Sequence, residues 1–216
     1  MKKKLFLTSS AIGICLWLSA FNTRAQSTDI PKYEVAAEFS SLTLNPEHTE
    51  PGLGGRFTYN LNRNVALEAA GYFFPHTCQF CGTGRITEGL FGVKAGKRFQ
   101  KWGIFGKARP GLASFSKGTF NVVPIGGGGP FPFRLEANRR TNFALDVGGV
   151  LEFYPSRRIV TRFDFGDTMI RVGQRTTGFQ LITDPITGVT TLGAPIISPA
   201  YTGNTFQFTA GVGFRF

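Results

Sequence analysis

The chain has 216 residues, room for one domain of ordinary size and too little for two. Glycine (28) and phenylalanine (23) dominate while charged residues supply only 17%, which excludes a disordered chain and the Ala/Glu/Lys/Leu-rich composition of a coiled coil. The formal charge is +11, and it falls to +7 once Lys2, Lys3, Lys4 and Arg24 are set aside.

Those four cations belong to the first 25 residues. A basic start, an apolar stretch from Leu5 to Phe21 and Thr23-Arg24-Ala25 before Gln26 have the layout of a secretory signal peptide (1–25). An uncleaved membrane anchor is the competing reading, because the apolar stretch is almost long enough to span. Ile14 ahead of Cys15 does not suit a lipoprotein cleavage site. Cleavage after Ala25 leaves a short linker (26–31) and one domain (32–216). No later segment approaches the roughly 18 continuous apolar residues of a membrane-spanning helix.

From Tyr33 onward the chain alternates with period two, the signature of β-strands. Tyr33, Val35, Ala37 and Phe39 oppose Glu34, Ala36, Glu38 and Ser40. Leu53, Phe57 and Tyr59 oppose Gly54, Arg56 and Thr58. Val65, Leu67 and Phe73 oppose Ala66, Glu68 and Tyr72. Phe91, Val93 and Ala95 oppose Glu88, Gly92, Lys94 and Gly96, and Ile104 and Leu112 oppose Phe105, Lys107 and Arg109. Phe143, Leu145, Val147 and Phe153 oppose Asp146, Gly148 and Glu152, and Ile159, Phe163 and Phe165 oppose Arg162, Asp164 and Gly166. The last segment sets Phe206, Phe208, Val212, Phe214 and Phe216 against Gln207, Thr209, Gly211, Gly213 and Arg215. This predicts eight strands. Pro110 is the misfit, expected at a bulge or where its strand leaves the apolar layer.

Connections alternate in length. Residues 62–64, 99–101 and 155–158 are short, whereas 43–52, 74–85, 115–140 and 171–205 are long. Short turns on one rim and long loops on the other describe an up-and-down transmembrane barrel, with its turns in the periplasm and its loops outside the cell. A lipocalin, soluble and apolar inside, is the alternative closed barrel. The polar face mixes glycines with charges of both signs, which suits a crowded interior. The other face is Phe-rich and free of charge within the strand cores, with Tyr59, Phe73, Trp102 and Phe153 placed as interfacial aromatics.

On these features the chain resembles the small eight-stranded outer-membrane β-barrel family and is similar to the transmembrane domain of OmpA. The resemblance rests on the alternation, the loop asymmetry, the ending Gly-Val-Gly-Phe-Arg-Phe, and segments such as Phe91-Gly-Val-Lys-Ala-Gly-Lys-Arg98 and Arg162-Phe-Asp-Phe-Gly-Asp167. It implies an all-β antiparallel barrel in the outer membrane of a Gram-negative envelope, reached through the periplasm after signal cleavage. It also implies that Val212, Phe214 and Phe216 form the signal read by the barrel-assembly machinery.

The polar face carries seven acids (Glu34, Glu38, Glu68, Glu88, Asp146, Glu152 and Asp164) and six bases (Arg56, Lys94, Lys107, Arg109, Arg162 and Arg215). An eight-stranded barrel is just wide enough for its side chains to fill it, and unpaired buried charges are costly. A plug of salt bridges is expected, with a gated ion path or a tuned carboxylate pair as the sharper readings.

Enzymes of this architecture need a histidine beside a nucleophile or acid. His48 and His76 fall in different outer loops, and no Ser is placed beside His48 by any strand, so no catalysis is expected. Cys78 and Cys81 form Cys-Gln-Phe-Cys outside the cell, where an oxidised pair is the plain reading. A metal site with His76 as a third ligand is the alternative. No cofactor or metal is expected. Gly126 to Gly129 lacks the Gly-Lys-Ser/Thr of a phosphate loop. The basic excess sits at the turns, the interior and the large loops, which argues against nucleic acid. Lys117, Arg134, Arg139, Arg140, Arg171 and Arg175 could meet lipopolysaccharide phosphates. The expectation is a monomeric, non-enzymatic outer-membrane barrel in contact with lipid bilayer and lipopolysaccharide, with long loops for an unidentified extracellular ligand or for envelope integrity. A narrow porin-like channel is the second reading.

Overall fold

The computed structural model describes residues 30–45, 48–75, 84–124, 133–188 and 190–216. The segment expected to be a signal peptide lies outside them, as do His76, Cys78, Cys81 and Gly126 to Gly129. Ten strands run through the described residues: β1 (Tyr33–Asn45), β2 (His48–Asn60), β3 (Val65–Phe74), β4 (Ile86–Arg98), β5 (Trp102–Pro124), β6 (Phe133–Phe153), β7 (Ile159–Val172), β8 (Arg175–Thr183), β9 (Thr190–Ser198) and β10 (Tyr201–Arg215). Eight of them close into an antiparallel barrel in the order β1-β10-β7-β6-β5-β4-β3-β2. The remaining pair, β8 and β9, forms its own two-stranded sheet.

Closure depends on β1 and β10, which pair from Glu34↔Arg215 to Thr43↔Phe206. Reciprocal bonds between Tyr33 and Phe216, each 2.9 Å, continue that seam to the rim. The short turns are locally encoded. Asn62 Oδ1 accepts from the amides of Asn64 and Val65, both at 2.8 Å. Ser156 Oγ likewise accepts from Arg158 (3.3 Å) and Ile159 (3.1 Å). Asn and Ser hold turns in this way because their short side chains reach the backbone two or three residues on.

The long connections differ from expectation. β1 and β2 remain paired up to Asn45↔His48. β5 and β6 continue past the barrel as a ribbon ending at Pro124↔Phe133, after a register shift between Phe115 and Thr119. The 171–205 segment contains the β8–β9 hairpin. Pro110 is not at a bulge, and its strand does not leave the apolar layer there, because Leu112 beyond it is still exposed on the outer face. Leu90↔Gly111 and Val93↔Ala108 share one register, so β4 and β5 pass Pro110 in step, and only the ladder pairs beside it are missing. On its other side Pro110 pairs in register with Leu145. Its ring points outward, so the strand loses an N–H without losing direction.

Side chains divide by parity. Val35, Phe39, Leu53, Phe57, Phe91, Ile104, Leu112, Phe143, Phe165, Phe206, Val212 and Phe214 are exposed on the outside. The charges lie within. Such a continuous apolar exterior exceeds what a water-soluble monomer tolerates.

Glycines let neighbouring strands close where the lumen is crowded. A Cβ on inward-facing Gly148 would come within 2.0 Å of the Phe165 carbonyl oxygen, whereas one on outward-facing Gly149 would meet nothing within 4 Å. Gly148→Ala is therefore expected to cost about 1–3 kcal/mol through overpacking. Gly149→Ala should stay within about 0.5 kcal/mol of wild type. Urea titration followed by heat-shifted gel mobility separates the two.

Candidate functional site: the barrel lumen

Alternation sends the even-numbered side chains of β1–β4, β6 and β7, and the odd-numbered ones of β5 and of the lower half of β10, into the barrel. The lumen is stratified along its axis. At the turn end, Glu34 lies within ion-pair distance of Arg98 Nη2 (3.5 Å) and Arg215 Nε (3.3 Å), and accepts a hydrogen bond from Asn60 Nδ2 (3.0 Å). The Tyr154 hydroxyl accepts from Arg98 Nε (2.9 Å) and donates to Glu152 Oε2 (2.7 Å).

The middle layer is built on Glu68 and Arg162, both fully buried. Arg162 grips Glu68 through both terminal nitrogens, with Nη2 to Oε2 at 2.9 Å, and also bonds Asp164, with Nη2 to Oδ2 at 2.9 Å. Lys94 reaches Glu68 at 3.4 Å and is paired directly with Glu152. Arg109 donates to Asp146 at 2.8 and 2.6 Å, and Lys107 lies 2.8 Å from the same carboxylate. Arg56 donates to Glu38 (2.7 Å), whose second oxygen accepts from the Tyr72 hydroxyl (2.7 Å).

Above the ion pairs lies a layer of polar side chains joined by hydrogen bonds. Gln207 donates from Nε2 to Glu88 Oε2 and Ser40 Oγ, both at 3.0 Å, and accepts from Thr168 Oγ1 (2.6 Å). Toward the loop end the lumen turns apolar: Leu42, Phe74, Ile86, Leu90, Phe115, Ile170 and Val172 pack together across it.

A closed ladder, an apolar exterior and a charged interior invert the pattern of a soluble barrel, and the soluble lipocalin reading falls with that inversion. In lipid every backbone polar group must be satisfied by the protein itself, which a closed barrel does. The fold is that of the small eight-stranded outer-membrane β-barrels. No family model matches the chain, and no curated protein matches it. Among solved structures it is similar to the Neisserial surface protein A (14% identity, covering 86% of this chain and 97% of that one, TM-score 0.46). It is also similar to the N-terminal β-barrel domain of Pseudomonas aeruginosa OprF (12% identity, 85% and 97%, TM-score 0.43). A third is Ail, the attachment invasion locus protein of Yersinia pestis (13% identity, 85% and 96%, TM-score 0.41).

Within this outer-membrane barrel, Glu34, Glu38, Arg56, Glu68, Glu88, Lys94, Lys107, Arg109, Asp146, Glu152, Arg162, Asp164 and Arg215 are all buried. Among the described residues all of them except Glu88 have an ion-pair partner. Arg98 joins them, although it falls at the end of a strand beside a short turn. It is buried and brings the inward bases to seven, and Glu50, buried on β2 opposite Leu42, adds an eighth inward acid toward the loop end. Its parity with Lys94 was the available signal. His48 begins β2, opposite Asn45. Val212 and Phe214 point outward on β10, and Phe216 follows that strand, exposed beside Tyr33 with ring centroids 5.7 Å apart.

Removing one partner of a buried ion pair strands the others, at about 3–5 kcal/mol. Glu68→Ala, which abandons Arg162 and Lys94, is expected to lower stability by that amount in urea titration of the folded barrel. Glu88→Gln replaces a carboxylate that faces an amide, and should cost less than about 1 kcal/mol, within the range of a neutral hydrogen bond.

Proposed function

We propose that this is a non-enzymatic outer-membrane protein whose lumen is a closed structural strut and whose elongated outer strands meet a partner at the cell surface or help hold the envelope together. The observation that carries the reading is the stacking of an apolar layer on a matched ion network. An ion would have to cross a layer of paired charges and then a packed, largely apolar one, and apolar constrictions oppose conduction by excluding water.

The outer features support a surface role. β8 and β9 form a hairpin that pairs only with itself, from Arg175↔Ser198 to Thr183↔Thr190. Its turn is preset: Asp184 Oδ1 accepts from the Ile186 amide at 2.8 Å, and Gly188 adopts φ 68°. The Ile186 and Thr187 groups hold the Asp184 carboxylate below its ordinary range. The hairpin carries Ile186 at 92% exposure, with Leu181, Ile182, Ile196 and Ile197 also exposed. Clustered exposed large apolar residues mark an interaction surface. Around the hairpin's base, Arg140 donates to the Gly173 carbonyl (2.8 Å) and Arg171 to Thr202 (3.2 Å). Exposed Arg134 and Arg139 on β6 suit lipopolysaccharide phosphates.

Single-channel recording in a planar bilayer tests the closed lumen. The folded protein is expected to be silent, and steady, reproducible conductance steps would replace this reading with the narrow channel. Replacing residues 175–198 by a short Gly-Ser linker should leave heat-shifted mobility and the urea midpoint unchanged. A collapse of the barrel on that excision would show the hairpin to be part of the scaffold and not a surface module.

A further inference from the structure

The turn end of the barrel opens into a cavity of about 1110 Å³ whose lining is cationic. Lys32, Arg63, Arg157 and Arg158 stand at its rim and Arg98 and Arg215 at its floor, with no Asp or Glu among the described lining residues. The interior acids do not neutralise the rim. Glu34 is shared by Arg98, Arg215 and Arg56, and Glu152 by Lys94, Arg98 and Arg162. Among the described residues the acids nearest this end are engaged by inward bases, and none forms an ion pair with the four rim cations.

The site is also built in advance. The Ser156 hydroxyl fixes the backbone of the turn that carries Arg157 and Arg158, and the Arg158 carbonyl accepts from the Arg215 amide (2.8 Å). Arg63 is tied by its Nε to the Arg98 carbonyl (3.3 Å), and its terminal nitrogens lie beyond that anchor. At the floor, Arg215 sits over the Tyr154 ring, 4.5 Å from its centroid, and Arg98, 5.5 Å from the same ring, keeps a buried Nη1 with no hydrogen-bond partner. Like charges held together by packing and turn geometry are stabilised by an anion that enters among them.

We propose that this vestibule binds a phosphate-bearing anion, with Arg157, Arg158 and Arg63 as its principal donors. Guanidinium groups favour phosphate because their planar forks match its oxygens two at a time. The cavity exceeds the needs of a single phosphate ion and suits a pyrophosphate or a phosphodiester headgroup. On the orientation set by the short turns, the vestibule faces the periplasm, where the two sources of that chemistry are a soluble phosphate compound and the anionic lipids of the inner leaflet.

The test uses protein purified from membranes of cells expressing the full chain. In the first arm, pyrophosphate is titrated calorimetrically into the detergent-solubilised protein. In the second, native mass spectrometry reads phosphatidylglycerol retained from nanodiscs of phosphatidylethanolamine and phosphatidylglycerol. Saturable binding is expected in at least one arm. It should weaken by about tenfold in Arg157→Ala/Arg158→Ala, the scale of lost charge-assisted bonds, and be unchanged in Arg85→Ala, an exposed cation at the opposite end that has no assigned binding role. Heat-shifted mobility confirms that each variant is folded, and Arg63→Ala provides an independent rim variant. Binding in the pyrophosphate arm identifies a soluble ligand, and retention in the lipid arm alone identifies a headgroup. Absence of saturable binding in both arms, or binding that both rim variants leave intact, overturns the proposal.

Discussion

Everything in this protein follows from the seam between β1 and β10. In a bilayer an unpaired strand edge leaves a row of N–H and C=O groups without partners, at several kcal/mol each. Pairing the first strand with the last, from Glu34↔Arg215 to Thr43↔Phe206, removes both edges at once. Closure then forces each residue to choose between two environments, and the period of the strand makes the choice alternate. The exposed Val35, Phe39 and Phe214 and the buried Glu34, Glu38 and Arg215 are two consequences of a single geometric condition.

The interior meets the opposite demand. A barrel of eight strands has little lumen to spare, yet among the described residues it buries fifteen Asp, Glu, Lys and Arg side chains, most of which pair with one another. They fit because the strands approach closely at glycines such as Gly148, and because arginine satisfies two carboxylates from one position, as Arg162 does with Glu68 and Asp164. Such pairs contribute little net stability relative to an apolar filling. What they do is make the arrangement unique. A one-residue slip of any strand would put its charges into lipid and its phenylalanines into the ion network, so the ions fix register more than they add free energy.

The architecture was legible because its signal is local and repeated. Alternation in Phe206 to Phe216, the asymmetry between a three-residue turn at 62–64 and a thirty-five-residue span at 171–205, and the absence of charge on one face are properties of short windows. What lay beyond reach is non-local. Parity puts Glu68 and Arg162 on one face, but their contact joins residues 94 apart, and it depends on register across several strands. Pro110 misled because a missing N–H is a strong local signal, whereas the unbroken register around it is a property of both neighbouring strands. Arg98 was obscured by the turn that follows it. The β5–β6 ribbon and the β8–β9 hairpin escaped notice because Gly118, Pro124 and the Thr-rich stretch at 176–191 interrupt the apolar alternation, while the backbone pairs through them regardless.

The stratified lumen gives the barrel a direction. Apolar side chains at Leu42, Phe74, Phe115 and Ile170 close the loop end, and guanidinium groups at Arg98 and Arg215 line the turn end. Both ends obey the same inward parity, so the difference lies in residue type and not in fold. A largely apolar layer beneath the outer strands separates the ions from the loop end, and the pairs below it keep the strength that a low dielectric allows. At the turn end no such layer intervenes, and the ion network grades directly into solvent through Tyr154 and Arg98. A column of charge that is sealed above and open below is polarised toward its open end. The rim cations Lys32, Arg63, Arg157 and Arg158 stand where that open end meets water.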